Sequence, residues 1–178
     1  MIGLRQDEVV LSLSEPEYWN EAFKEEKQKL EVLLQGQYIA IEHVGSTAIS
    51  GIMAKPIIDI AIGIKDFENI DIIKDLMIKG GYEYRSSNSS DERVLFIKVI
   101  DSKRTHHLHI EQYLGESWSN HVNFRDSLLH NTNLREEYMK LKIILAQKYP
   151  NDRKKYTSEK AEFIQLVLSS DISKSDKG

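Results

Sequence analysis

The chain has 178 residues, of which 40% are apolar and 29% charged, a balance typical of a globular protein of one ordinary domain. Its formal net charge of −4 argues against broad, sequence-independent binding of nucleic acid, although a local basic pocket could still bind one phosphate. The absence of cysteine excludes disulfides, thiolate nucleophiles and thiolate metal sites. Residues 1–8 lack the apolar run of a signal peptide, and the longest apolar stretch, 56–64, is too short to span a bilayer. We therefore expect a cytoplasmic protein that does not associate with membranes.

The first third of the chain predicts a helix followed by two strands. Ser14 and Glu17 flank a proline in the pattern of a capping box, and apolar residues then recur at helical spacing until a stop near Gly36. Strands are predicted over 38–44 and 57–64, and a loop with glycine and proline breakers separates them.

The strand over 57–64 has the clearest pattern in the chain. Its even-numbered positions are all isoleucine, which predicts one fully buried face. Asp59 points to the opposite face, where this strand presents no other polar side chain. A carboxylate in such a setting is costly unless it is paired or bound to a metal.

The remaining elements follow from periodicity and breakers in the same way. In chain order they are a helix over 67–79, a short strand over 82–85, a polar loop over 86–91, strands over 94–100 and 105–112, and helices over 117–130, 133–149 and 158–168. Asn133 and Glu136 form a predicted capping pair. We expect an α/β (α+β) fold with a sheet, flanking helices and a C-terminal helical portion, in one domain over 1–168, followed by a polar, disordered tail over 169–178.

The loop that starts at Gly45 and the nearby Asp59 form the first candidate site. Glycine permits a sharp turn and close approach to a ligand, while Ser46 and Thr47 supply hydroxyls and amides for phosphate oxygens. Asp59 could hold a divalent cation against the same phosphates. Lys55 could reach a phosphate as a point charge, or it could simply be solvated. The alternative for the loop is a serine that caps a helix near a strand-end carboxylate.

A histidine-rich strand provides the second candidate group. His107, His109 and Glu111 alternate onto one face, which could join the face that bears Asp59. Imidazoles can transfer protons, donate to phosphate or bind a transition metal, so a metal site at His107 and His109 is a further hypothesis. Ordinary hydrogen-bonded strand histidines are the alternative.

Basic side chains on the C-terminal helices could line a cleft and neutralise the charge of a bound polyphosphate. The alternative is that each is an ordinary surface charge. They are Arg125, Lys142 and Lys160, with Tyr156 near them in the sequence pattern.

The stretch from His43-Val44-Gly45-Ser46-Thr47 to Lys55-Pro56-Ile57-Ile58-Asp59 resembles the signature of the GrpB family. That family is similar to the nucleotidyltransferase superfamily, in which Gly-Ser is followed by an Asp-apolar-Asp/Glu strand. Further matches within 7–168 are Trp19, Phe23, Glu26, His107-Leu108-His109, Phe124-Arg125-Asp126, Leu128, Tyr138, Leu141-Lys142, Asp152-Arg153, Tyr156 and Lys160. The resemblance implies a nucleotidyltransferase-like mixed sheet with flanking helices, Mg²⁺ as cofactor and a nucleoside triphosphate as substrate.

One position departs from the superfamily pattern. Ala61 stands where a two-metal site needs a second carboxylate, and Asp59 alone cannot clamp two cations. Glu111 could supply a further metal ligand, and Glu42 lies beside the loop. The sequence therefore leaves two functions open. One is a Mg²⁺-dependent nucleotidyltransferase with an unknown acceptor, in which Asp59 and the two strand histidines are catalytic. The other is a catalytically degenerate module that binds a nucleotide or a coenzyme A-type phosphate ligand.

Overall fold

The computed structural model describes residues 2–13 and 15–175, with side chains as far as residue 170. The helices are α1 (Pro16–Leu34), α2 (Ile70–Lys79), α3 (Glu116–His130), α4 (Thr132–Lys148), α5 (Arg153–Ser158) and α6 (Ala161–Ser175). The strands are β1 (Ser12–Leu13), β2 (Ala40–Val44), β3 (Met53–Ala54), β4 (Ile58–Ile64), β5 (Glu83–Tyr84), β6 (Arg93–Ile100) and β7 (Lys103–Gln112). Short 3₁₀ turns occupy Ser46–Ala48 and Ser86–Asn88.

A mixed five-stranded sheet of order β2-β4-β7-β6-β5 forms the centre of the fold. The β4–β7 pair is parallel and the other pairs are antiparallel. Strands β1 and β3 form a separate two-stranded ladder. Helices flank the sheet, so the predicted α+β class with a mixed sheet and a C-terminal helical portion is confirmed.

The isoleucine face of β4 lies in the main core, as its alternation predicts. All four isoleucines at the even positions are 1% exposed or less. They pack against side chains of α1 and α2 that recur at helical spacing, among them Leu30, Leu34, Ile73 and Met77. Burial of this face fixes the register of β4, because a slip of one residue would bring Asp59 into the core.

The opposite face of the sheet is covered by α3. Trp118 of α3 packs there with Val44 and Ala61. A Cβ on Gly63 would lie 2.9 Å from the rings of both Trp118 and Tyr113. The missing side chain at Gly63 therefore lets α3 approach the sheet closely, on the face that bears Asp59.

The predicted cap of α4 is wrong. Asn131 is the capping residue, and its side chain accepts a hydrogen bond from Leu134 N at 3.1 Å. Asn131 has the extended backbone of an N-cap, with φ −124° and ψ 103°, whereas Asn133 already lies within the first turn. At α1, Glu15 precedes Pro16 without a side-chain cap hydrogen bond, and Ser14 lies outside the described residues.

Helix α6 extends past the predicted end at residue 168 to Ser175. The hydroxyls of Ser169 and Ser170 donate to backbone carbonyls of the preceding turn, which is compatible with continued helix. Residues 176–178 of the predicted tail lie outside the described part of the chain. Across that described part, no helix combines the length and apolar character needed to cross a membrane.

Candidate functional site

Gly45 opens the loop after β2 in a backbone conformation that is essentially restricted to glycine. Its φ is 69° and its ψ is −169°. A Cβ at this position would lie 2.5 Å from Asp59 Oδ2 and 2.9 Å from Asp59 Cβ. The loop backbone therefore lies directly against the Asp59 carboxylate, which places the two parts of the first candidate site together.

His43, near the end of β2, holds the loop. Its Nε2 is 2.9 Å from Thr47 Oγ1 in a hydrogen bond, and its ring stacks on Phe23 with centroids 4.8 Å apart. Burial lowers the pKa of His43 to about 4, so the ring is neutral at pH 7. Thr47 is thus a buried anchor of the loop. Ser46 is half-buried and lies beside the Tyr138 hydroxyl of α4.

Asp59 lies beside two of the strand histidines. The parallel register pairs it with His107, whose Nδ1 donates to Asp59 Oδ1 at 2.7 Å, and His109 Nε2 is 3.9 Å from the same oxygen. Burial raises the pKa of Asp59, but the two histidines bring it well below its ordinary range. Burial lowers the pKa of His107 to about 4. An ionised carboxylate therefore faces a neutral imidazole whose proton is on Nδ1, which leaves a lone pair on His107 Nε2.

The predicted lysines Lys55, Lys142 and Lys160 converge on the same region. Lys55 and Lys160 lie over the Tyr156 ring, 5.0 and 4.6 Å from its centroid. Lys142 is 1% exposed and donates to the carbonyl of Met53. Burial, together with the charges of neighbouring cations, lowers the pKa of Lys55 and of Lys142 well below the ordinary value. Burial also lowers the pKa of Lys160, to about 8, despite the opposing effect of Asp59.

Asp59 acts on all three lysines at a distance, but it does not pair with them. Within the described residues, none of the three lysines forms an ion pair. Arg153, which is 8% exposed, adds a further charge, and its Nη2 is buried without a hydrogen-bond partner in the part of the chain that the structure describes. The hydroxyl of Tyr156, which is fully buried, also finds no hydrogen-bond partner among the described side chains and backbone. The region therefore has donors and positive charge in excess of acceptors.

The guanidinium group of Arg125 is bonded to protein groups. Its Nη1 donates to Glu42 Oε2 at 2.8 Å and to the carbonyl of His43 at 2.9 Å, and its Nε donates to Asp126 Oδ1 at 2.8 Å. These bonds tie α3 to β2. The structure therefore gives Arg125 a role in holding the strand that carries the loop.

Glu111 does not join Asp59. It pairs with Gly63 in the sheet register, further along β7, and is 0% exposed. Its Oε2 is 3.0 Å from Nδ1 of His121 on α3. Asp59 and Glu111 thus belong to different groups of possible metal ligands, with His109 close enough to contribute to either.

The residues around Asp59 fit one Mg²⁺ ion that arrives with phosphates. His107 occupies Oδ1, while Oδ2 faces the loop, and Mg²⁺ commonly takes one or two carboxylates together with substrate oxygens. They do not fit a pair of Mg²⁺ ions. Ala61 is fully buried against Val44 and Trp118, so the second carboxylate position is part of an apolar cluster. When bound, a single Mg²⁺ would supply charge neutralisation for the phosphates.

Fold and site together define an α+β protein in which a loop that turns at a glycine lies against one strand carboxylate, beside a group of buried and half-buried basic side chains. The chain belongs to the GrpB family, since a model of that family, described as GrpB protein, matches residues 9–170. The predicted resemblance is confirmed.

Relatives cover most of this chain. Glutamate-rich protein GrpB of Alkalihalophilus pseudofirmus is 39% identical over 173 residues, 95% of this chain and 99% of that protein. YqkA of Bacillus subtilis is 36% identical over 151 residues, 85% of this chain but 44% of its own length, so the chain spans less than half of that relative. A crystal structure of conserved protein GrpB from Enterococcus faecalis is similar with a TM-score of 0.83 at 32% identity, over 93% of this chain and 98% of that one.

His121 was not identified from the sequence. It stands alone in its local stretch, without a second histidine or a recognisable ligand spacing. The available signal was its position three residues after Trp118, which places both on one side of the helix. Only the close approach of α3 at Gly63 brings it to Glu111.

Proposed function

We propose that this chain binds a Mg²⁺-nucleoside triphosphate beside the Gly45 loop and Asp59 and transfers its nucleotidyl group to an acceptor. The observation that carries this proposal is the convergence near Asp59 of Lys55, Lys142 and Lys160, none of which forms an ion pair within the described residues. Buried cations are costly without a counter-ion. A triphosphate would supply acceptors to Lys55 and Lys160 and a counter-charge to Lys142, which already donates to the Met53 carbonyl, while Asp59 would hold its cation.

His107 is the base in this proposal. An acceptor hydroxyl attacks the α-phosphorus, the bond from that phosphorus to the bridging oxygen of the β-phosphate breaks, and pyrophosphate leaves. The proton of the hydroxyl passes to His107 Nε2. The pKa of about 4 for this ring is low for a base, but a polyanion placed beside the ring raises it towards neutrality. Asp59 holds the opposite edge of the ring through Nδ1. We propose the cytoplasm as the location, where nucleotides and Mg²⁺ are available.

Binding is tested on the full chain with each of the four nucleoside triphosphates, with and without Mg²⁺, by calorimetry and thermal shift. We expect Mg²⁺-dependent binding that Lys142→Met weakens by about tenfold or more, since one desolvated charged hydrogen bond is lost. Lys140→Met is the matched control, because Lys140 is exposed on the same helix. Equal affinity in the two variants, or no binding of any triphosphate, would refute the phosphate site.

Turnover is tested by release of pyrophosphate from labelled triphosphates with a panel of small-molecule and protein acceptors. Asp59→Ala should abolish release, and His107→Gln should lower kcat by about 10²–10⁴-fold with binding retained, the range typical of a general base. Pyrophosphate release that persists in Asp59→Ala would contradict the assignment.

The second candidate function is a binding module without turnover for a nucleotide or a coenzyme A-type ligand. The apolar packing of Ala61 at the second carboxylate position favours it. Tight binding of a phosphate ligand, with no pyrophosphate release from any triphosphate and acceptor, would establish this function in place of transfer.

A further inference from the structure

A second group of possible metal ligands lies on the same face of the sheet, beyond Asp59. It consists of His109 and Glu111 on β7 and His121 on α3, whose ligand atoms all lie within 4.8 Å of one another. The His121 Nδ1 to Glu111 Oε2 distance is 3.0 Å, and the rings of His109 and His121 are 4.6 Å apart. We propose that these three side chains bind one divalent transition-metal ion of the zinc type. This proposal does not rest on the proposed function, although the two sites adjoin at His109.

A hydrogen bond between His121 and Glu111 does not by itself satisfy this group. Glu111 is 0% exposed, and its Oε1 is buried with no hydrogen-bond partner among the described residues. Nδ1 of His109 is buried and without a partner in the same way. A buried carboxylate oxygen and a buried imidazole nitrogen that both lack partners point to a ligand that accepts electron pairs from each.

The donor set selects the class of ion. Two imidazoles and one carboxylate suit zinc and neighbouring first-row metals, whereas Mg²⁺ prefers oxygen ligands. Around tetrahedral zinc the donor atoms are separated by about 3.4 Å, given bonds of about 2.1 Å. The 3.0 Å separation between His121 and Glu111 is close to that value. Three protein ligands also leave a fourth position for water or a substrate atom.

The surroundings support a site that is preformed and accessible. Gly63 of β4 pairs with Glu111 of β7, and its missing side chain allows Trp118 to pack closely on the sheet. This contact fixes the distance between α3 and the sheet, and therefore the position of His121. Trp118 and Tyr113 pack against each other over Gly63, the residue that pairs with Glu111 in the sheet. The His121 side chain is 29% exposed, so an ion can enter from solvent.

The test uses full-length protein without a histidine tag, stripped with a chelator and then titrated with Zn²⁺ by calorimetry and with Co²⁺ by visible absorbance. We expect one equivalent of metal and a Co²⁺ spectrum of low coordination number. His121→Ala should weaken zinc binding by more than about tenfold, since loss of even an outer-shell partner has that effect. Glu111→Gln should do the same. His121 is partly exposed, so its variant remains informative if the buried Glu111 substitution impairs folding.

Two further variants make the assignment specific. His130→Ala removes an exposed histidine from the same helix and should leave metal affinity unchanged. Asp59→Asn should still bind one equivalent of Co²⁺ but should lose Mg²⁺-triphosphate binding. His121→Ala should lose Co²⁺ binding but should still bind the Mg²⁺-triphosphate. Failure of the wild type to bind Zn²⁺, Co²⁺, Ni²⁺ or Mn²⁺ stoichiometrically would overturn the proposal. So would binding that survives His121→Ala, or binding that Asp59→Asn abolishes.

Discussion

Substitution of Gly45 by alanine tests the contact between the loop and Asp59 directly. The backbone conformation of Gly45 costs about 1–3 kcal/mol for any residue with a Cβ. The added Cβ would also lie 2.5 Å from Asp59 Oδ2, so the carboxylate must shift and the 2.7 Å hydrogen bond from His107 is disturbed. A charge-assisted hydrogen bond contributes about 1.5–3 kcal/mol. Together these effects predict destabilisation by about 3–5 kcal/mol, which lowers Tm by about 6–20 °C in a chain of this size.

Gly51→Ala is the matched control, because Gly51 lies in the same loop region with a positive φ of 76°, but no atom of the described residues lies within 4 Å of the added Cβ. It should cost only the left-handed backbone penalty of about 1–2 kcal/mol. Urea unfolding and calorimetry measure both variants. In an Asp59→Ala background, which removes two of the three closest atoms, the penalty of Gly45→Ala should fall. Equal losses for Gly45→Ala and Gly51→Ala would refute the close packing of loop and carboxylate.

Two other predictions concern the opposite face of the sheet. Tyr82→Phe should lower the free energy of unfolding, measured with urea, by about 1–3 kcal/mol, because the Tyr82 hydroxyl donates to the buried Glu26 at 2.7 Å. Tyr84→Phe is the control and should leave it almost unchanged. Equal effects of the two substitutions would contradict a stabilising hydrogen bond from Tyr82. Burial lowers the pKa of His106 to about 4, so the unfolded chain takes up a proton first and stability falls as the pH drops from about 6.5 towards 4. His106→Gln should reduce the slope of unfolding free energy against pH by the equivalent of up to one proton. An unchanged slope would exclude His106 as a source of the pH dependence.

The faces of the central strands were predictable because their patterns are local. Alternate isoleucines in β4 defined its buried face and placed Asp59 on the other, and the structure confirms both. Alternation likewise placed His107, His109 and Glu111 on one face. Which strand lies beside β4, and in which direction, depends on tertiary packing. The parallel register, which sets Asp59 opposite His107 and leaves Glu111 opposite Gly63, therefore could not be read from the sequence.

Short or nonlocal features were missed for identifiable reasons. Strands β1 and β3 have two residues each, too few for periodicity to indicate them. The α4 cap was placed two residues late because asparagine occurs at both 131 and 133, and only the backbone distinguishes them. The expected contact of Arg125 with phosphate stays a prediction, but its bonds to Glu42 and the His43 carbonyl depend on how α3 crosses β2 and could not be read from the sequence.

The wide sequence separations across the site have a consequence for synthesis of the protein. Asp59 and His107 are 48 positions apart, Lys142 and the carbonyl of Met53 are 89 apart, and Arg153 and the carbonyl of Gln6 are 147 apart. Once synthesis has passed β7, the growing chain contains all five strands of the central sheet. It still lacks the basic side chains carried by the segment from α4 to α6. The buried charges are therefore assembled last, after the longest loops have closed. A ligand held by them would bind the finished protein and would stabilise it selectively over every earlier intermediate.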